Sequence, residues 1–145
     1  MNTSYETDVV AWANEQAMLI RAGRFAELDL THIAEEIEDV GKSEQRELAS
    51  RTVVLLAYLL KWQFQPSKRS NSWKFTITTQ RKEVAYVLKE APSLQNKFND
   101  TSWLELVWAK ALGLAESETG LEVEIFPSIC PWSMVDVLTE GWLPS

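Results

Sequence analysis

Apolar residues recur along most of this chain at the three- and four-residue spacing of amphipathic helices. The first such face consists of Tyr5, Val9, Trp12, Gln16 and Leu19. The stretch VVLLAYLL, from Val53 to Leu60, is apolar around its whole circumference, which predicts a central helix packed on all sides. The pattern predicts seven helical segments: Tyr5–Ala22, Leu30–Val40, Ser43–Phe64, one from Asn71 or Ser72 to just before Pro92, Leu94–Phe98, Thr101–Ser117 and a last turn from Ser133 to Leu138.

Glycines and capping residues set the predicted ends of these segments. Gly23, Gly41 and Gly120 each follow a periodic stretch and predict helix termination, and Asp29 is a suitable cap for the second helix. That helix is expected to bury Ile33, Ile37 and Val40. Between Leu121 and Pro131 the sequence predicts a short extended piece.

The predicted fold class is all-α. We expect one domain over residues 1–145, a single compact bundle of five to seven helices with an irregular, aromatic C-terminal arm. Trp132 and Trp142 lie in that arm, where large aromatic side chains either pin it to the bundle or bind a partner; the first alternative is preferred.

Composition indicates an ordinary globular protein, with 46% hydrophobic and 24% charged residues. The longest apolar run has eight residues, far below the roughly 20 that a membrane-spanning helix needs, and the first residues lack signal-peptide features. The only cysteine, Cys130, is interpreted as a structural thiol. These features predict a cytoplasmic protein without a membrane partner.

Charge is distributed in blocks along the chain. Residues 26–47 carry a net charge of −6, residues 48–82 carry +7 with no acid, and residues 83–145 carry −7. Two explanations stay open. The basic segment neutralises the acidic helices on either side, or it forms a positive surface for a phosphate or an acidic partner.

A polar run beside the central helix is the best candidate site. Its members are Lys61, Gln65, Arg69, Ser72, Trp73, Thr76, Gln80 and Arg81, together with the acidic Glu36 and Glu38. One interpretation is a buried hydrogen-bonded network in which Arg69 or Arg81 pairs with Glu36 or Glu38. The other is a pocket in which arginines and a tryptophan face bind phosphate or stack on a base.

The sequence contains few residue patterns that suggest catalysis. His32, the only histidine, has no neighbouring nucleophile signature, and the carboxylates near it lack the histidine or cysteine partners of a zinc site. The sequence therefore predicts no metal and no cofactor, and it assigns no catalytic residue.

Several blocks of the chain, in order, resemble the bacterial family known as domain of unknown function 29. The blocks are DVVAWANEQAMLIRAGRFAELDLTHIAEEIEDVGKSEQREL, SRTVVLLAYLLKWQFQPSKRSNSWKFTITTQR, APSL, ETGL, FPSICPW and GWLP. The resemblance implies a compact, mostly helical fold and no particular activity. Family members commonly carry histidine before LLKW where this chain has Tyr58, which argues against a histidine-dependent role here.

Two functions from different classes remain. The preferred one is a non-catalytic helical module that acts through protein contacts, as a homo-oligomer or within a regulatory complex. The alternative is a nucleic-acid or nucleotide-phosphate handling protein, in one version a metal-dependent phosphodiesterase using Glu36, Glu38, Lys61, Arg69 and Arg81.

Overall fold

A computed structural model describes residues 4–145, and within that range it contains helices and no strands. The α-helices are α1 (Val9–Arg21), α2 (Leu30–Phe64), α3 (Asn71–Glu90), α4 (Thr101–Thr119) and α5 (Met134–Leu138). Short 3₁₀ helices span Phe25–Glu27, Pro66–Lys68, Pro92–Asn99 and Val123–Ile125. The all-α prediction is confirmed. No helix in the described range is long and apolar enough to cross a bilayer.

The chain divides into two units, one ending at Ser43 and the other running from Glu44 to Ser145. In the first unit, α1 begins later than predicted, because Asp8 caps it by accepting from the Ala11 amide, and Tyr5 lies in the preceding turn. Trp12, Gln16 and Leu19 form its buried face, as the periodicity predicted.

The predicted break between the second and third helices is wrong. A single 35-residue helix, α2, continues through Gly41, which does not adopt the left-handed conformation of a terminating glycine. An internal glycine costs only about 1 kcal/mol relative to alanine, whereas ending the helix would leave backbone groups without intrahelical partners. Asp29 does cap the helix, accepting from the His32 amide at 3.4 Å.

The expected burial of the early part of α2 is also wrong in part. Ile37 and Val40 are 68% and 67% exposed, and only Ile33 is partly buried. Helical periodicity identifies an apolar face, but it does not say whether another element of the same chain covers that face.

The second unit contains the main hydrophobic core. Its centre is the all-round apolar stretch of α2, with Leu55, Leu56, Leu59 and Leu60 buried as predicted. Ile77 of α3, four residues of α4 and two of the C-terminal segment complete the cluster. A smaller cluster joins Leu48, Val84, Val87 and Leu94.

The C-terminal segment packs on this core without extended structure. The short extended piece predicted between Leu121 and Pro131 is instead a 3₁₀ turn, and Gly120 ends α4 in the left-handed conformation. Ser133 caps α5 by accepting from the Asp136 amide, as predicted. Trp132 and Trp142 pack against the main core. They also contact each other edge to face, with their ring centres 5.9 Å apart. The arm is therefore pinned within the second unit.

Candidate functional site

The ten residues of the predicted polar cluster fall into separate local arrangements. Glu36 belongs to the first unit, where its carboxylate accepts a hydrogen bond from the Tyr5 hydroxyl. That hydrogen bond raises the pKa of Tyr5 to about 12. Glu38 is exposed on α2.

Lys61 is one of two buried cations of the cluster, with only 8% of its surface exposed. Its Nζ lies 3.1 Å from Glu118 Oε2, 4.0 Å from the centre of the Tyr58 ring and 5.0 Å from that of Trp73. A carboxylate and two aromatic faces thus replace the water that a buried ammonium loses. Tyr58 is therefore a direct neighbour of this charge.

Arg69 and Lys74 lie beside the ring of Trp62, which is 9% exposed. Arg69 Nε donates to the Trp62 carbonyl at 2.7 Å, and its guanidinium carbon is 4.9 Å from the Trp62 ring centre. Lys74 Nζ is 5.5 Å from the same ring. Both cations are exposed, so these contacts leave part of their charge facing solvent.

The hydrogen-bond partners of Arg81 are main-chain carbonyls of the C-terminal segment. Arg81 Nε donates to the Val137 carbonyl at 2.8 Å, and one terminal nitrogen donates to the Trp142 carbonyl at 2.6 Å. Burial lowers the pKa of the guanidinium from its usual value. The predicted carboxylate partners Glu36 and Glu38 are therefore wrong: main-chain carbonyls take that place for both arginines. Arg81 ties α3 to the C-terminal segment.

The other predicted members lie around these contacts. Ser72 is exposed, and Ser70 rather than Asn71 or Ser72 caps α3 by accepting from the Trp73 amide. Gln65, Thr76 and Gln80 are partly buried. Within residues 4–145, Gln80 Oε1 and Gln63 Oε1 are buried without a hydrogen-bond partner. The role of the ten residues in binding stays a prediction.

A cluster around His32 was not predicted as a site. His32 Nδ1 lies 2.6 Å from Asp29 Oδ2, the Tyr5 ring stacks on the imidazole at 4.2 Å, and Trp12 Nε1 donates to the same Asp29 oxygen. Because a carboxylate only accepts, Nδ1 carries the proton. The hydrogen bond raises the pKa of His32 and lowers that of Asp29. His32 Nε2 is 3.4 Å from Glu6 Oε1, so both ring nitrogens face carboxylates. This arrangement anchors the turn before α1 to the start of α2.

An open groove of about 820 Å³ lies in the second unit between α4, the 3₁₀ helix Pro92–Asn99 and the C-terminal segment, and Leu56 of α2 also lines it. Its apolar lining includes Phe98, Leu104, Trp108, Leu112, Trp132 and Met134. Ile129 and Val135 also line it and are 79% and 77% exposed. Sequence reasoning missed this groove because its lining comes from four segments, Leu56 of α2 included, that no single periodicity connects.

Few polar groups line the groove. Glu105 is its only charged lining residue, and Asn99, Thr101, Ser128 and Ser133 add uncharged polar atoms. Cys130 also lines it, and its thiol donates to the Trp132 carbonyl at 3.4 Å. Burial raises the pKa of Cys130, which keeps the thiol protonated and unreactive at neutral pH. The groove is therefore suited to binding apolar surface rather than to acid–base chemistry.

Metal ligands do not converge in the described part of the chain. Within residues 4–145 no group of three or more histidine, cysteine, aspartate or glutamate side chains is placed to hold an ion. Glu36 and Glu38, proposed from sequence as ligands in the phosphodiesterase alternative, are not part of such a group.

Comparison with known proteins gives one match. No curated protein and no solved structure matches the chain. The model of the family described as domain of unknown function DUF29 matches residues 4–143, nearly the whole chain and both of its structural units. The chain therefore belongs to the DUF29 family.

Proposed function

We propose that the protein is a non-catalytic helical module that acts through protein contacts, and that the groove of the second unit is its binding surface. The observation that carries this proposal is the apolar groove of about 820 Å³ with Ile129 and Val135 exposed at its margin. Contiguous exposed apolar surface rimmed by polar groups is typical of a protein-binding site.

The contacts of the polar cluster support the same proposal. Lys61 is engaged with Glu118 and two aromatic rings, and Arg81 with two carbonyls. Moving either cation to a substrate phosphate would leave its partners unsatisfied. These two side chains are therefore better suited to holding the fold than to binding a ligand.

The test replaces an exposed groove residue and compares the proteins that co-purify. Val135→Glu places a carboxylate in the apolar groove at an already exposed position, so the fold is expected to persist. Leu106→Glu is the matched control, because Leu106 is exposed on α4 and does not line the groove. We expect partners retained by the wild type and by Leu106→Glu to be lost from Val135→Glu. Equal retention by all three would reject the groove as the binding surface.

The second candidate is nucleic-acid or nucleotide-phosphate handling, supported by Arg69 and Lys74, two exposed cations 4.9 and 5.5 Å from the centre of the Trp62 ring. Cations next to an aromatic face suit a phosphate and a stacked base. If this role is correct, Arg69→Ala folds normally and loses affinity for poly(dT) in a salt-dependent titration. Unchanged poly(dT) affinity in Arg69→Ala would reject it.

The proposal also places the protein in the bacterial cytoplasm, without a membrane partner, and treats residues 1–145 as one domain. The single cysteine and the lack of a membrane-spanning helix within residues 4–145 are compatible with that setting. One cooperative urea transition, followed at the same time by tryptophan fluorescence and circular dichroism, would support a single domain; two separated transitions would oppose it.

A further inference from the structure

The outward side of α3 combines exposed aromatic rings with lysines. Phe75 and Tyr86 are 72% and 61% exposed, and Lys82 and Lys89 are exposed on the same side. These positions are seven, four and three residues apart in chain order, close to whole numbers of helical turns. They form one stripe, which we call the α3 stripe. Phe75 and Tyr86 lie about 16 Å apart along it, since each residue advances a helix by about 1.5 Å.

The lysines of the α3 stripe are not paired with carboxylates in the part of the chain that the structure describes. The stripe contains no carboxylate, and within residues 4–145 neither Lys82 nor Lys89 forms an ion pair. Two large exposed aromatics on one helix face cost solvation unless something covers them, and aromatic residues are the usual anchors of protein interfaces. The stripe therefore has the features of a contact surface for an acidic, apolar partner.

The groove has the complementary features. Residues 100–145, which supply most of its lining, hold eight carboxylates against the single Lys110, a net charge of −7. Glu105 lies among the lining residues, and Glu124 lines a smaller depression that shares Leu112 and Ser128 with the groove. A helix that carries aromatic anchors and lysines matches both the apolar floor and the negative surroundings.

We infer that the groove binds the α3 stripe of a second copy of this chain. Phe75 and Tyr86 are the apolar anchors, and Lys82, between them on the stripe, opposes Glu105. The inference rests on the proposed function and names its partner. In a two-fold dimer each copy supplies one stripe and one groove, so the contact is made twice and the assembly closes.

The exposed apolar side chains outside the α3 stripe are less suited to the groove, because the sequence around most of them carries the wrong charge. Most of those lie between residues 9 and 40, a segment that holds seven carboxylates against two arginines. Like charge disfavours such a segment beside Glu105, whereas the lysines of the α3 stripe are attracted to it.

The test is a charge swap read by sedimentation velocity over a range of protein concentrations. We expect the wild type to form dimers, and both Lys82→Glu and Glu105→Lys to weaken dimerisation about tenfold or more, because each places like charges together. The double variant restores an opposite pair and should dimerise again. An equal mixture of the two single variants should form heterodimers, since both of its contacts pair opposite charges. Lys42→Glu, an exposed substitution of the same charge outside the stripe, is the control and should leave dimerisation unchanged.

A wild-type protein that stays monomeric at all concentrations would overturn the inference. So would dimers that Lys82→Glu and Glu105→Lys leave intact, or single-variant defects that neither the double variant nor the mixture repairs. Circular dichroism of each variant excludes misfolding as the cause of a monomer. If the wild type is monomeric but Val135→Glu still loses co-purifying proteins, the groove remains a protein-binding surface and only the inference that its partner is a second copy is wrong. If Val135→Glu loses nothing, the proposed function fails as well.

Discussion

Arg81→Ala is the substitution with the largest expected effect on stability in the polar cluster. Arg81 is 8% exposed and donates from α3 to the carbonyls of Val137 and Trp142, which belong to the C-terminal segment. Val137 is fully buried, so water cannot take the place of the lost donor without opening the core. Trp142 is only partly buried, so its carbonyl can recover a water partner at lower cost.

The magnitude follows from these two hydrogen bonds. A hydrogen bond to a charged group contributes about 1.5–3 kcal/mol to the free energy of unfolding, and an acceptor left buried costs the upper part of that range. Counting the Val137 bond in full and the Trp142 bond at a discount gives about 3–5 kcal/mol. For a unit of about 100 residues this corresponds to a melting temperature lower by roughly 15–25 °C.

Urea denaturation followed by tryptophan fluorescence measures the effect, because Trp142 and its neighbour Trp132 report on the C-terminal segment. Lys68→Ala, an exposed position of the same unit outside the α3 stripe and the groove, is the matched control and should change the free energy of unfolding by less than about 0.5 kcal/mol. If Arg81→Ala folds with the same urea midpoint as Lys68→Ala, the structural role of the guanidinium is refuted. A loss of phosphate affinity at unchanged stability would instead support a binding role.

Three further predictions concern separate contacts. Trp142→Ala removes a ring packed on Trp132 and the core, and it should cost about 2 kcal/mol and expose the C-terminal segment to protease; unchanged protease resistance would rule out pinning of the arm. Lys61→Met keeps an apolar chain in the place of the lysine stem but leaves Glu118 unpaired, so the free energy of unfolding measured in urea should fall by about 1 kcal/mol. A fall of more than about 4 kcal/mol would contradict the interpretation that the Lys61–Glu118 pair is partly exposed to water. The hydrogen bond to Asp29 raises the pKa of His32. The contribution of this pair to the free energy of unfolding is therefore fully present below a pH of about 6.5, and it is lost as the pH rises through the folded-state pKa of His32. The difference in urea midpoint between the wild type and His32→Gln should therefore shrink from pH 5 to pH 9, and a constant difference would contradict the pair.

Local signals predicted most helices because they report on local physics. The apolar stretch of α2 between Val53 and Leu60, the cap at Ser133 and the left-handed Gly120 each depend on a few neighbouring residues. Gly41 misled the prediction because a glycine with the possible cap Ser43 two residues later is typical of a helix end, yet nothing in its surroundings forces the backbone out of the helix.

The candidate site was harder to predict because its contacts are long-range. One of the two sequence interpretations placed Arg81 in a buried network, but its partners are main-chain carbonyls 56 and 61 residues away, and any residue type can supply a carbonyl. The Asp29–His32 pair was within reach of sequence reasoning, since an aspartate cap followed three residues later by histidine places both on the first turn. The groove could not be predicted because it requires the packing of four segments against one another.

Site-specific photo-crosslinking in living cells tests the groove most directly. Ile129, exposed at the groove, is replaced by the photoreactive amino acid p-benzoylphenylalanine, and Leu106, exposed on α4 outside the groove, carries the same probe as the control. After irradiation, the account predicts a protein adduct from position 129 and none from position 106. A second copy of this chain in that adduct, attached through residues of α3, is the specific expectation. Irradiated protein that runs only at the mass of one chain, with the probe at 129 intact, would contradict a role in protein contacts.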